Sequence, residues 1–452
     1  MKKIIALLLA LAILFSATAC AATRKKIEKN ADGTIKVIEG EVLQAPKKAY
    51  KDMNLDEKLE YKANQIPEAA AATDNGMIAP ACDVQSGKWG YIRSDGSWAI
   101  KPQYNMCGSF SAGLAPVLDS YSDYIFINSD GSKFISNIGG KSILGSTHAS
   151  EGILPVALDL GQSQCKLYYL ENNKTIDADS FPKVSGVKYM NSKYFMVTTQ
   201  FFDGKAVVMR RTNENLLADN DRAVIEKKNL YQNAYVINKQ GEILATLPAG
   251  YDVTDYGLDS NGIIIVCDRT SDDGFYGLYD ISGNQVTECR YRRIEHCDGN
   301  YYLVCDQSGF WGYISKEGKQ LTGCSFVDAK AFSDGLAVVY DGNAWGVIDS
   351  SGTMIIDYEW EEFAPLKDAN LDTNVGRAAY AFGVAVAKRG EYWALIDSKG
   401  DIKYAVKSAE CPFGSLSGGL VTFKENDLWG LMNSSGQEVV EPQFKGIGVF
   451  GN

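Results

Sequence analysis

Ala344-Trp345-Gly346-Val347-Ile348, closed by the polar turn Ser350-Ser351-Gly352, decides the fold, because the same run returns along the chain. It recurs as Lys88-Trp89-Gly90-Tyr91-Ile92, Phe310-Trp311-Gly312-Tyr313-Ile314 and Leu428-Trp429-Gly430-Leu431-Met432. Tyr392-Trp393-Ala394-Leu395-Ile396 has Ala in place of Gly, and Phe275-Tyr276-Gly277-Leu278-Tyr279 has Tyr in place of Trp. A turn ending in Gly follows each at a fixed offset, as in Ser94-Asp95-Gly96 and Lys316-Glu317-Gly318. Gly reaches positive φ without steric cost, so the runs on either side of each turn read as a hairpin.

Two further elements keep step with it. Phe-Ser-x-Gly-Leu-Ala-x-Val precedes the Trp run at 110–117 and 332–339, with variants at 149–156, 259–266 and 417–423. A run ending in an aromatic follows, as Ile100-Lys101-Pro102-Gln103-Tyr104 and Val440-Glu441-Pro442-Gln443-Phe444, and more weakly at 287–291 and 356–360. Fainter copies of the Trp run at Tyr124, Leu167 and Tyr235 bring the count to nine units, spaced 34 to 36 residues where the match is best and 48 between Trp345 and Trp393. The chain is therefore expected to be all-β, a tandem array of about nine three- to four-stranded antiparallel meanders.

One such meander is marginal alone and must bury its apolar face on the next copy. Trp89, Trp311, Trp345, Trp393 and Trp429 are then packing residues between neighbours. Trp98 and Trp360 fall outside that register and are expected as exposed contacts. An open superhelix would leave two apolar ends, whereas a propeller-like ring leaves none, so the ring is favoured.

These motifs resemble the WG-repeat (KWG-repeat) family of bacterial exported proteins, over roughly Met77 to Phe450. The resemblance implies a β-rich repeat array with an interaction role, and it carries over no catalytic residue and no cofactor.

The segment before the array sets the compartment. Lys2 and Lys3 precede an apolar run of 12 residues, Ile4 to Phe15, and then Ser16-Ala17-Thr18-Ala19-Cys20. This is similar to a bacterial lipoprotein signal peptide over 1–19, with Cys20 the lipidated residue; plain secretion by cleavage at Ala17–Ala19 is the alternative. Either way the chain is exported, to the cell envelope or beyond it. Residues 20–75 read as a tether with one short helix, capped by Asn54 and presenting Leu55, Leu59 and Ala63 on one face. Residues 76–452 are the array, with an insertion at 201–230.

Composition narrows the function. The chain has 452 residues, is 45% apolar and 11% aromatic, and carries 45 basic against 56 acidic residues, which argues against a nucleic-acid partner. The chain has only two histidines, His148 and His296, and they stand apart. Cys82, Cys107, Cys165, Cys267, Cys289, Cys297, Cys305, Cys324 and Cys411 match no compact zinc spacing and read as small apolar residues, with disulfides the alternative. Asp83, Asp119, Asp268, Asp306 and Asp341 each follow a first strand; they read as turn residues, with an acidic docking rim the alternative. The expectation is a membrane-anchored scaffold that binds another envelope protein or a cell-surface glycan, not an enzyme. The rival is a hydrolase-type enzyme with a carboxylate site in the central channel of the ring.

Overall fold

The computed structural model describes residues 23–29, 35–42, 48–119, 124–135, 137–138, 141–146, 150–151, 153–158, 164–169, 174–176, 194–212, 234–248, 250–270, 274–364 and 378–451. Cys20, His148 and the signal region lie outside them.

Blade 7 shows how one unit folds. A short strand, Asp328–Ala329, is followed by Leu336–Tyr340, Trp345–Asp349 and Met354–Trp360, hydrogen-bonded in that order as an antiparallel meander. Nine such sheets follow one another among the described residues, and we number them as blades in chain order. Eight apolar clusters each draw on two successive blades, so the core is distributed over the junctions. Tyr91 of blade 1 packs with Phe110 and Val117 of blade 2, for example, and Val207 of blade 4 with Val266 of blade 5.

The ring is closed by its last strand. Gly446–Ile447 pairs antiparallel with Ala79–Cys82, the first long strand of blade 1, and the Ile78 and Gly451 amides each donate to the other's carbonyl at 3.0 Å. Blade 1 thus takes its short strand from the C-terminal segment. Leu431 and Phe444 of blade 9 join Ala81, Ile92, Ile447 and Phe450 in one cluster at that junction. The expected ring, and not the open superhelix, is what the chain forms.

The third strands repeat one burial pattern. In Trp98–Tyr104, Gln285–Tyr291, Met354–Trp360 and Glu438–Phe444 the third and last residues are buried and the fourth is exposed. The fourth is charged each time, as Lys101, Glu288, Asp357 and Glu441, which keeps the sheet edge from pairing with other chains.

This pattern corrects the reading of Trp360. It occupies the terminal aromatic position shared with Tyr104, Tyr291 and Phe444, and it is 1% exposed. Trp98 is no free contact either: it meets Phe444 of the preceding blade edge-on, centroids 5.6 Å apart. Of the five register tryptophans, Trp311 and Trp393 are buried, while Trp89, Trp345 and Trp429 are half-buried against the same clusters.

Two boundaries also move. The strand Lys205–Thr212 pairs with Tyr194–Thr198 and Tyr235–Asn238, and Ala206, Val207 and Val208 are buried, so 201–212 belongs to blade 4 and not to an insertion. The expected tether is folded over much of its length. Thr23–Lys29 and Ile35–Val42 form an antiparallel hairpin. Helix α1 (Leu55–Ala63) starts with a reciprocal cap, the Glu57 amide donating to Asn54 Oδ1 and the Asn54 amide to Glu57 Oε2, both at 2.9 Å. Leu59 is fully buried among Trp360, Phe363 and Ala405, and Arg389 Nε donates to Asp56 Oδ1 at 2.6 Å. Beyond the helix the Ala70 amide donates to the Glu438 carbonyl, and the Glu438 amide to Glu68. No helix among the described residues is long and apolar enough to cross a membrane.

Candidate functional site

The Trp-Gly step has a backbone cause. Trp345 lies opposite Trp360 and Val347 opposite Ile356, so two steps on the Trp strand face four on the third strand. The surplus is a bulge that folds over Gly346, where a Cβ would stand 2.9 Å from the Ile356 carbonyl oxygen. The same two-against-four register appears at Trp89, Tyr276 and Trp429. At Gly430 the Cβ would lie 2.5 Å from the Val440 oxygen and 2.8 Å from Pro442 N. Pro102 and Pro442 sit in these bulges, where no ladder hydrogen bond is asked of them. Blade 8 is the counter-example. Ala394 replaces Gly, and Trp393, Ala394 and Leu395 pair one-to-one with Val406, Ala405 and Tyr404, without a bulge.

The Phe-Ser-x-Gly-Leu element is a hairpin turn and a junction at once. Ala112-Gly113, Asp203-Gly204, Asp334-Gly335 and Phe382-Gly383 have positive φ at both residues, as mirror-image two-residue turns require. The turns bond from blade to blade. Ser150 Oγ accepts from the Phe201 amide at 2.8 Å, Ser417 Oγ from Phe450 at 2.9 Å, and Asp334 Oδ2 from Gly383 at 2.7 Å. Phe382 stands out among them. It is a bulky side chain at φ 53°, where small or polar residues usually sit, and it is 52% exposed.

The family described as "WG containing repeat" matches residues 89–119, 276–307, 311–343, 345–369 and 429–452. The chain carries WG repeats. Each of the five matched stretches begins at the residue just before Gly90, Gly277, Gly312, Gly346 or Gly430; the Trp393 unit, with Ala394 and no bulge at that step, is outside them. No curated protein sequence matches the chain. Among solved structures it is similar to BamB from Moraxella catarrhalis, at 12% identity over 85% of this chain and 94% of that one, TM-score 0.32. It is also similar to a eukaryotic initiation factor, at 9% identity over 84% and 98%, TM-score 0.49. A third is a puromycin hydrolase, at 12% identity over 84% and 54%, TM-score 0.33.

The polar residues singled out by sequence serve the WG-repeat frame. Asp83 accepts from the Ser86 amide and hydroxyl, Asp306 from the Phe310 amide, and Asp341 from the Asn343 and Ala344 amides, as turn residues do. His296 is not isolated: its Nδ1 lies 3.3 Å from Asp259 Oδ2, which also accepts from the Tyr302 hydroxyl. Asp259 belongs to blade 5 and both partners to blade 6, so the trio bridges a junction. Burial raises the Asp259 pKa, but the bonds from His296 and Tyr302 outweigh it and hold the carboxyl below its usual range.

Cys82, Cys267, Cys289, Cys297 and Cys324 carry free thiols. Burial pushes the Cys107 and Cys297 thiols up to about 12 and Cys289 to about 11, which makes them poor nucleophiles. No group of three or more metal-ligating side chains gathers among the described residues. The residue that sequence reasoning passed over is Phe382, although an aromatic in the x place of the x-Gly turn was visible in Tyr380-Ala381-Phe382-Gly383.

Proposed function

We propose that the protein is exported, held to the membrane by lipid at Cys20, and acts by binding rather than by catalysis, its ring presenting the junction turns to another envelope protein. Phe382 carries the reading. A bulky residue in the left-handed region costs stability that Gly would not, and this one still leaves half of its surface exposed. Exposed aromatics of that kind are what interface hot spots are made of. A lone Phe flanked by Ala381 and Gly383 suits a pocket on a protein better than a sugar face, which asks for hydrogen-bonding groups beside the ring.

A photo-crosslinking residue at position 382 should give one discrete protein adduct in intact cells, reproduced with the purified partner. The same residue at position 244, also half exposed, should not give it. Glycan adducts would turn the reading to a lectin-like role, and identical adducts from both positions would remove the case for Phe382. Cys20→Ser should release the chain from the membrane fraction, and retention would count against the anchor.

A further inference from the structure

A cleft of about 320 Å³ opens where the N-terminal segment meets blades 7 and 8, at the sheet edge and away from the junction turns. Its lining carries both charges: the ammonium groups of Lys58 and Lys399, and the carboxylates of Asp357, Glu359 and Asp401. The N-terminal wall brings the Tyr50 hydroxyl and the Lys58 ammonium, both able to donate. The wall from the third strand of blade 7 brings the carboxylates of Asp357 and Glu359, which accept. Ile355, Ile356 and Ile402 line the space between.

The Tyr50 hydroxyl oxygen is buried and has no hydrogen-bond partner. A buried hydroxyl without a partner is unusual in a folded protein and asks for an explanation. Its ring is held in place by Tyr61 at 5.5 Å and by Lys58 and Lys62, each 5.6 Å from the centroid. Burial and the carboxylates of Asp401 and Asp397 push the phenol up to about 12, so it keeps its proton as a donor. Burial also raises the Glu359 carboxyl. Ile355, 43% exposed, adds an apolar surface beside these groups.

We propose that this cleft binds a small zwitterion, an aliphatic α-amino acid or a dipeptide carrying one. Its carboxylate takes the Tyr50 hydroxyl and Lys58, its ammonium takes Asp357 and Glu359, and its side chain lies along Ile355 and Ile402. A neutral polyol would leave both charged walls without a counter-charge. A phosphate ester would meet three carboxylates, of Asp357, Glu359 and Asp401, against only two ammonium groups, of Lys58 and Lys399. The site is independent of the docking role proposed for Phe382.

Calorimetry on the full chain tests it with L-leucine and leucyl-leucine, against N-acetyl-leucine and leucinamide, each of which lacks one terminal charge. Leucine or its dipeptide should bind, and both blocked derivatives should bind at least about tenfold more weakly. Tyr50→Phe should weaken binding about tenfold while its melting temperature stays level or rises, because it removes only an unpartnered hydroxyl. Glu359→Gln should weaken binding by a similar factor. No binding at millimolar concentration, equal binding of the blocked derivatives, wild-type affinity in Tyr50→Phe, or binding of glucose in place of leucine would each overturn the assignment.

Discussion

At Gly346 the absent Cβ is what lets the third strand fold over the Trp strand. Gly346→Ala forces the Ile356 carbonyl away and should cost about 1–3 kcal/mol, the range for overpacking. Ala394→Gly, at a step that pairs one-to-one, should cost about 1–2 kcal/mol, the conformational penalty of Gly plus one buried methyl. Urea melts give both losses, and a near-neutral Gly346→Ala would mean that the bulge does not need the glycine. Phe382→Gly should raise stability by about 1 kcal/mol by releasing left-handed strain, with any partner binding lost at the same time. Asp259 adds a pH term. Its folded pKa is depressed, so its contribution is present above the ordinary Asp value of about 4 and fades as pH falls through the lowered one. Asp259→Asn should therefore lose stability at neutral pH and show a flatter acid limb; an unchanged limb would mean that other carboxylates govern it. The tryptophans were legible as repeats, yet Trp360 was misplaced because it was compared with the Trp strand. Its true counterparts are Tyr104, Tyr291 and Phe444, one strand further on.

Helix α1 shows where local signals stop. Its start was readable, because Asn54 and Glu57 stand three residues apart and cap each other. Its docking was not, because Arg389, the partner of Asp56, is 333 residues away and nothing in residues 20–75 names it. Leu59→Ala should cost about 2–5 kcal/mol as a cavity in a shared core. Asn54→Ala should cost about 1 kcal/mol as a lost cap. A near-neutral Leu59→Ala in thermal melts would return the segment to the status of a free tether. The boundary of blade 4 failed for a related reason. Phe201-Phe202-Asp203-Gly204-Lys205 is a variant of the junction turn, with Phe in the Ser place and Lys in the Leu place, and the strand that follows it pairs into blade 4.

For the whole molecule the deciding contact is between the two ends of the array. The short strand before the Phe-Ser turn belongs to the same sheet as the strands after it, and blade 1 receives its short strand from 446–451. Among the described residues the other apolar clusters join blades that are neighbours in sequence, and this one turns the array into a ring. Phe450→Ala keeps the strand pairing and removes one buried ring, which should cost about 3–5 kcal/mol. Deleting 445–452 removes Ile447 as well and leaves the edge of Ala79–Cys82 unpaired, a template for another chain. The truncated protein should melt well below Phe450→Ala and gain a dimer or higher species on size-exclusion chromatography, because an open ring exposes two complementary faces. If the truncation melts with the parent and stays monomeric, the last strand is an ornament on an array that holds its shape without closure, and the stability of the blades has to come from the junctions between sequence neighbours alone.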